Sequence, residues 1–292
     1  MQHVARPGTI KAMSRLEQVT DAVAYHGEGP VWSPSWGGLR FVDMLAGDVC
    51  TVHDDGSVTR LHVGDVAAFV RPRRDGGWVV GLERGLGLAD GPDDVPRVLP
   101  PMWTDPGLRM NEAGCDPAGN LYVGSMRYDR AEGGASLQRV APDGSTSVVL
   151  PHVTISNGID FSPDGTRAYY DDTQTGTTDV FDVVDGELTN RRVFASGDDG
   201  RPDGLTVDSA GNVWVALNAV GRVRCYSPDA EILDEVDLPV RLVTACALGG
   251  PDLRDLYVTT SREDLDDPEP EAGAVFRLRV PVPGRPVLPY GG

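Results

Sequence analysis

Arg201-Pro-Asp-Gly-Leu-Thr-Val-Asp-Ser-Ala-Gly-Asn-Val-Trp-Val-Ala-Leu217 is the stretch whose reading decides the fold. Leu205–Val207 and Val213–Leu217 are short apolar runs rich in β-branched residues. Asp208-Ser-Ala-Gly211 between them is a turn, so the stretch reads as a β-hairpin. An acidic residue, Asp203, stands just before the first run.

The same unit recurs along the chain. Counterparts of the second strand begin at Leu39, Trp78, Leu121, Ala168, Val213 and Leu256, spaced 39 to 47 residues apart. Turn signals precede them: Trp36-Gly-Gly38, Asp75-Gly-Gly77, Asp116-Pro-Ala-Gly119, Ser162-Pro-Asp-Gly165, Asp208-Ser-Ala-Gly211 and Gly249-Gly-Pro-Asp252. Aspartate and proline set such turns, and glycine takes the positive φ they need. A second hairpin follows most anchors, as in Ser136–Val140 with Ser147–Leu150 and Arg222–Tyr226 with Glu231–Leu238. About four strands in ~40–45 residues is the period of a propeller blade. Helical periodicity is absent. A β-sandwich would also hold many strands, but has no reason to repeat turn and strand at this regularity. The expectation is an all-β, six-bladed β-propeller of four-stranded antiparallel blades around a central channel, one domain over residues 1–292 with residues 1–13 as a flexible extension. The last unit lacks an outermost strand. The N-terminus around Leu16–Val19 is expected to supply it, closing the ring and hiding a free edge.

Bulk properties narrow the function. A net charge of −18 argues against nucleic acid and against anionic membranes, since both require a basic surface. No run approaches membrane-spanning length, and the N-terminus has no apolar signal core. Cys50, Cys115, Cys225 and Cys246 are dispersed without CxxC, which argues against a zinc site; with no secretion signal the expectation is free buried thiols and a cytoplasmic location. Glu263–Glu271 (EDLDDPEPE) lacks EF-hand spacing and reads as an exposed loop. His26, two residues before Glu28, reads as ordinary packing or solvent contact.

The polar residues upstream of the anchors are more informative. Glu28, Asn111, Asn157 and Asp203 each lie 10 or 11 residues before their anchor, and Val66 and Thr244 occupy the corresponding region of the other two units. The first strand of a blade lines the channel, so residues at one register converge on the axis. Two carboxylates and two amides are hard oxygen donors that suit Ca²⁺, Mg²⁺ or Mn²⁺. The Asn-Gly and Asp-Gly pairs are also ordinary turn signals. Four at one repeat register favour a site.

These segments resemble the SMP-30/gluconolactonase/luciferin-regenerating-enzyme family. The resemblance is carried by Gly27-Glu-Gly-Pro-Val-Trp32, Arg109-Met-Asn-Glu112, Cys115-Asp-Pro-Ala-Gly119, Gly124-Ser-Met126, Ile155-Ser-Asn-Gly158, Pro202-Asp-Gly204 and Trp214-Val-Ala216. It implies a six-bladed propeller holding one divalent cation (Ca²⁺, Zn²⁺, Mn²⁺, Mg²⁺ or Fe²⁺) on Glu28, Asn157 and Asp203. It further implies substrate contacts at Arg109, Asn111 and Asp129. The Arg-Met-Asn-Glu stretch departs from the family's RxND pattern, and Ala113 stands where glycine is usual. Arg127–Gly134 is expected to form a rim loop or lid. The expected activity is metal-dependent opening of a sugar lactone, with Asp203 as general base. A GxSxG nucleophile elbow is absent. Two alternatives stay open: a phosphotriesterase or other ester hydrolase on the same scaffold, and a non-catalytic calcium-binding regulator. The expected partner is a small molecule, and the expected assembly a monomer or weak homo-oligomer.

Overall fold

The computed structural model describes residues 16–198 and 200–292; the extension expected over residues 1–13 lies outside them. Six four-stranded antiparallel sheets form a ring. Their innermost strands are Gly27–Ser33, Phe69–Pro72, Leu108–Cys115, Ser156–Phe161, Arg201–Val207 and Val243–Gly249, which define blades 1 to 6. Consecutive innermost strands touch around the ring, and blade 6 returns to blade 1. Every sequence anchor begins or enters the second strand of its blade, such as Leu121–Arg127 and Val213–Asn218.

The ring closes as the pattern demands. Glu17–Gln18 pairs antiparallel with Phe276–Arg279 and becomes the outermost strand of blade 6. The backbone N–H of Val19 donates to Val275 O, and Arg277 meets Glu17 at 2.8 Å. The Pro-rich tail that follows blade 6 crosses one end of the channel. Arg285 donates to Phe161 O of blade 4 at 2.6 Å, and Tyr290 bridges to Arg73 of blade 2.

Apolar residues at alternate positions pack between neighbouring sheets. Val207, Val215 and Tyr226 of blade 5 meet Tyr169 of blade 4, while Trp214 and Cys225 meet Cys246 and Leu256 of blade 6. All four cysteines are free and buried, and burial pushes the Cys50 and Cys115 thiols up to about 12.

One feature of the innermost strands bears directly on the channel. In blades 3, 4 and 5 the register shifts by one residue, between Met110 and Ala113, Ser156 and Ile159, and Pro202 and Leu205. Asn111, Asn157 and Asp203 are the first residues of these β-bulges. In blade 1 the bulge follows Glu28 directly. A bulge unpairs one residue and re-aims its side chain. Blade 2 runs without one, and there Val66 packs in the core. The glycines of the bulges are required by close approach. A Cβ on Gly158 would lie 2.6 Å from Leu205 N, and one on Gly204 2.3 Å from Ala245 Cβ. Neither glycine has a positive φ. These Asn-Gly and Asp-Gly pairs are therefore packing contacts between blades.

A candidate metal and substrate site in the channel

Two short helical turns anchor the strands that carry the site. In blade 1 the Asp43 carboxylate accepts the N–H groups of Tyr25 and His26. In blade 4 the Asp172 carboxylate accepts those of Thr154 and Ile155. Each aspartate precedes a single 3₁₀ turn and pins its innermost strand two and three residues before Glu28 or Asn157. The backbone that presents these donors is held on both sides.

Glu28, Asn157 and Asp203 are all buried, at 3 %, 4 % and 6 % exposure. Each is tied by one atom and free at another. Glu28 Oε2 accepts the Gly29 N–H at 3.0 Å, and Oε1 carries no hydrogen bond among the described residues. Asn157 Nδ2 donates to Thr173 Oγ1 at 2.8 Å, leaving Oδ1 buried without a partner. Asp203 Oδ2 accepts from Asn218 at 3.0 Å, leaving its Oδ1 likewise orphaned. An unpaired buried acceptor costs about 1–3 kcal/mol, so orphaned oxygens on separate blades fit a cation that would satisfy them. Among the described residues no three His, Cys, Asp or Glu side chains gather into a metal-binding group. The set contains two carboxylates and an amide, and the amide is its third oxygen donor.

The electrostatics agree. Burial, and then the charges of Asp203 and Glu112, push Glu28 well above the usual carboxylate range. Burial likewise raises Asp203, against the hydrogen bond from Asn218, with Glu112 and Glu263 adding to the rise. Two desolvated carboxylates that repel one another hold protons until a positive charge arrives.

Arg109 is buried at 4 % exposure. Its Nη1 donates to Met110 O and to Asn111 Oδ1 and lies 2.9 Å from Met44 Sδ. Among the described residues no carboxylate pairs with it within 4.0 Å. Asn111 uses both ends of its amide, accepting from Arg109 and donating to Ser156 O at 3.0 Å, so it fixes the guanidinium. Glu112, the departure in the RxND-like stretch, pairs with Arg71 at 2.9 Å and accepts the Ala113 N–H.

Asp129 stands apart from this cluster. It is exposed and bonds Arg127 Nε and the Ala131 N–H within its own loop. That loop continues to Arg130, which pairs with Asp264 of blade 6. A partly open cavity of about 90 Å³ lies further along the innermost strands, lined by Arg71, Glu112, Asp160 and Arg285 and the tail. Its lining includes Glu112, Gly158 and Gly204 but none of Glu28, Arg109, Asn157 and Asp203.

Sequence reading missed two participants. His26 is 8 % exposed, and its ring faces Glu28 with Nε2 3.9 Å from Oε1. Burial, followed by the charges of Arg109 and Arg130, holds it down at about 3, so it is neutral. Glu263, read as part of an exposed acidic loop, turns inward to within 3.4 Å of His26 Nδ1. The only sequence signal was the two-residue spacing of His26 and Glu28. Thr244, in the ligand region of blade 6, is tied to the Gly27 carbonyl at 2.6 Å and supports the backbone beside Glu28.

The fold is a six-bladed propeller whose innermost strands carry the buried Glu28, Asn157 and Asp203 and, on blade 3, the buried Arg109. Residues 26–262 match the SMP-30/Gluconolactonase/LRE-like region, and the chain belongs to that family. It is 38 % identical over 286 residues to the 6-deoxy-6-sulfogluconolactonase of Pseudomonas putida, covering 94 % of this chain and 96 % of that one. It is 36 % identical to the pentonolactonase of Haloferax volcanii, covering 93 % and 96 %. The crystal structure of regucalcin from Agrobacterium tumefaciens, titled a calcium-binding protein, superposes with a TM-score of 0.87 at 29 % identity, covering 95 % of this chain and 97 % of that one. Among the described residues no helix is long and apolar enough to cross a membrane.

Proposed function

We propose that the protein hydrolyses sugar lactones at a divalent cation held by Glu28, Asn157 and Asp203. The observation that carries this reading is the pair of orphaned buried oxygens, Asn157 Oδ1 and Asp203 Oδ1, with the buried Glu28 carboxylate on a third blade and a guanidinium that no carboxylate pairs among the described residues. Its relatives named as lactonases act, by those names, on a sulfonated gluconolactone and on pentonolactones, which supports an aldonolactone substrate.

When bound, a divalent cation at this site supplies Lewis-acid polarisation of the lactone carbonyl. Arg109, aimed by Asn111, hydrogen-bonds the oxygens of the sugar ring and orients the carbonyl. Asp203 accepts the proton of the attacking water on its carboxylate, whose Oδ2 also accepts a hydrogen bond from Asn218. Water adds to the carbonyl carbon, the ring C–O bond breaks, and the departing ring oxygen takes the proton back from Asp203 to give the open hydroxy acid. Burial of the cluster excludes bulk water and strengthens each of these interactions.

Three protein oxygens would leave three to five of the six to eight positions of a Ca²⁺ ion for water and substrate. That openness favours an enzyme over a purely calcium-binding regulator. The test is a panel of five- and six-membered aldonolactones, acyl-homoserine lactones, plain esters and a phosphotriester against Ca²⁺, Mg²⁺, Mn²⁺ and Zn²⁺ in a pH-indicator assay. Aldonolactones are expected to turn over fastest and only with metal. Faster turnover of apolar esters or of the phosphotriester would overturn the assignment.

A further inference from the structure

We infer that Glu263 is a specificity-determining residue at the mouth of the channel, where its carboxylate takes the hydroxyl groups of a polyhydroxylated lactone opposite the guanidinium of Arg109. The inference rests on the reading of the channel as a sugar-lactone site and names the part of the substrate that blade 6 holds.

Glu263 stands on the loop that follows Asp255–Thr260, the second strand of blade 6. Its place is fixed from several directions. Its N–H donates to Ser261 Oγ at 2.9 Å, and Ser261 forms an isolated antiparallel bridge with His26 of blade 1. Oε2 lies 3.4 Å from His26 Nδ1, and Oε1 lies 4.0 Å from Arg130 Nη2 of the blade 3 loop. Its charge acts on Arg109 of blade 3 and on Asp203 of blade 5. A side chain of blade 6 that is near groups of blades 1, 3 and 5 at once hangs over the channel mouth. It is 23 % exposed there, so a ligand can reach it.

Neither carboxylate oxygen makes a hydrogen bond among the described residues, since both contacts are longer than a well-formed one. Arg109 is in the converse state. Its Nη1 serves Met110 O and Asn111 Oδ1, while Nε and Nη2 donate to no acceptor among the described residues. Burial raises the Glu263 carboxyl above its ordinary range, and Arg109 is the first charge to oppose that rise. Yet no ion pair closes between the two within 4.0 Å. Each is held back by its own ties. Asn111 fixes the guanidinium and is itself anchored on Ser156 O. Ser261 and the Arg130–Asp264 pair at 3.0 Å hold the loop of Glu263.

A gap between fixed donors and an acceptor-only carboxylate fits a group that accepts from one and donates to the other. A hydroxyl does both. The two carboxylate oxygens suit two adjacent hydroxyls, as on a sugar ring. A plain alkyl lactone has no donor for Glu263 and would desolvate the carboxylate without pairing it. The residue therefore selects by what the wrong substrate leaves unpaired.

The experiment compares two six-membered lactones, δ-gluconolactone and unsubstituted δ-valerolactone, with divalent metal present. Wild type, Glu263→Gln and Glu263→Ala, each shown folded by a melting curve, are assayed with spontaneous hydrolysis subtracted. In Glu263→Ala the preference in kcat/KM for δ-gluconolactone over δ-valerolactone is expected to narrow by about 10–100-fold, the worth of hydrogen bonds to a charged group. The loss on δ-gluconolactone is expected mainly in KM. Glu263→Gln keeps one acceptor oxygen and is expected to lose less. Equal losses on the two lactones, or a loss confined to kcat, would show that Glu263 acts through the fold or the chemical step, and would overturn the inference. Folded variants with the wild-type preference would overturn it as well. A wild type that opens neither lactone would overturn the lactonase reading itself, an outcome distinct from unaffected variants of an active wild type.

Discussion

Arg130 Nη2 stands 3.0 Å from Asp264 Oδ2, joining a loop of blade 3 to a loop of blade 6 on the opposite side of the ring. Arg130 also lies 4.0 Å from Glu263, which reaches His26. The loop Arg127–Gly134 is thereby tied to the blade-6 loop that carries Glu263 and Asp264. Both partners of the latch are more than half exposed, so its contribution to stability is less than about 1 kcal/mol.

Arg130→Ala and Asp264→Asn are accordingly expected to shift Tm by no more than about 3 °C. Loosening the loop removes binding shared by ground and transition states. KM is expected to rise up to about fivefold with kcat nearly unchanged. Melting curves and steady-state kinetics on an aldonolactone check both parts. An unchanged KM in both variants would reduce the pair to a surface contact.

Asp203→Asn keeps an oxygen at the metal position but places an amide NH₂ either toward Asn218 Nδ2, donor against donor, or toward the cation. Metal affinity is expected to weaken. At saturating metal kcat is still expected to fall by about 10²–10⁴, because the amide cannot take a proton. Asp203→Ala is expected to lose metal binding as well. The measurement is kcat against metal concentration. Recovery of the Asn variant to near wild-type turnover would make Asp203 a ligand only.

Glu28 and Asp203 sit well above their ordinary carboxylate range in the metal-free fold. For acids raised in this way, the favourable contribution is complete below the unfolded pKa. It is lost as pH rises toward the folded value, because the unfolded chain ionises first. A bound cation removes that loss by stabilising the charged forms. The gain in Tm on adding saturating Ca²⁺ or Mn²⁺ is therefore expected to be small near pH 4 and to grow toward pH 8. A metal-induced shift that stays constant over this window would mean the two carboxylates do not titrate with the cation.

Asp171 is fully buried, and among the described residues its carboxylate has no well-formed hydrogen bond, the Thr178 hydroxyl beside it giving only a weak contact. Burial raises it well above its ordinary range, Thr178 partly opposing, with Asp203, Asp179 and Asp172 adding to the rise. By the same sign, Asp171 costs stability as pH rises. Asp171→Asn is expected to be neutral near pH 4 and stabilising by about 1–3 kcal/mol at pH 8. Denaturant melts at the two pH values check this, and destabilisation at pH 8 would show that the ionised carboxylate has a partner.

Much of this was legible in the chain. The recurrence of turn and strand at Leu39, Trp78, Leu121, Ala168, Val213 and Leu256 specifies six blades, because backbone pairing and alternation are local properties. The missing outer strand of blade 6 points to Glu17–Gln18 for the same reason. The register of Glu28, Asn157 and Asp203 could be counted, since equal spacing in a repeat becomes equal height on an axis.

Tertiary structure alone decided what those side chains touch. The bulges at Asn111, Asn157 and Asp203 depend on how closely neighbouring innermost strands approach, which no single strand encodes. His26, Ser261 and Glu263 meet across the closure of the ring, more than 230 residues apart in the chain. Asp129, adjacent in sequence to Arg130, faces solvent instead of the cluster. Periodicity follows from near neighbours along the backbone, and a site at an axis follows from the distances between blades.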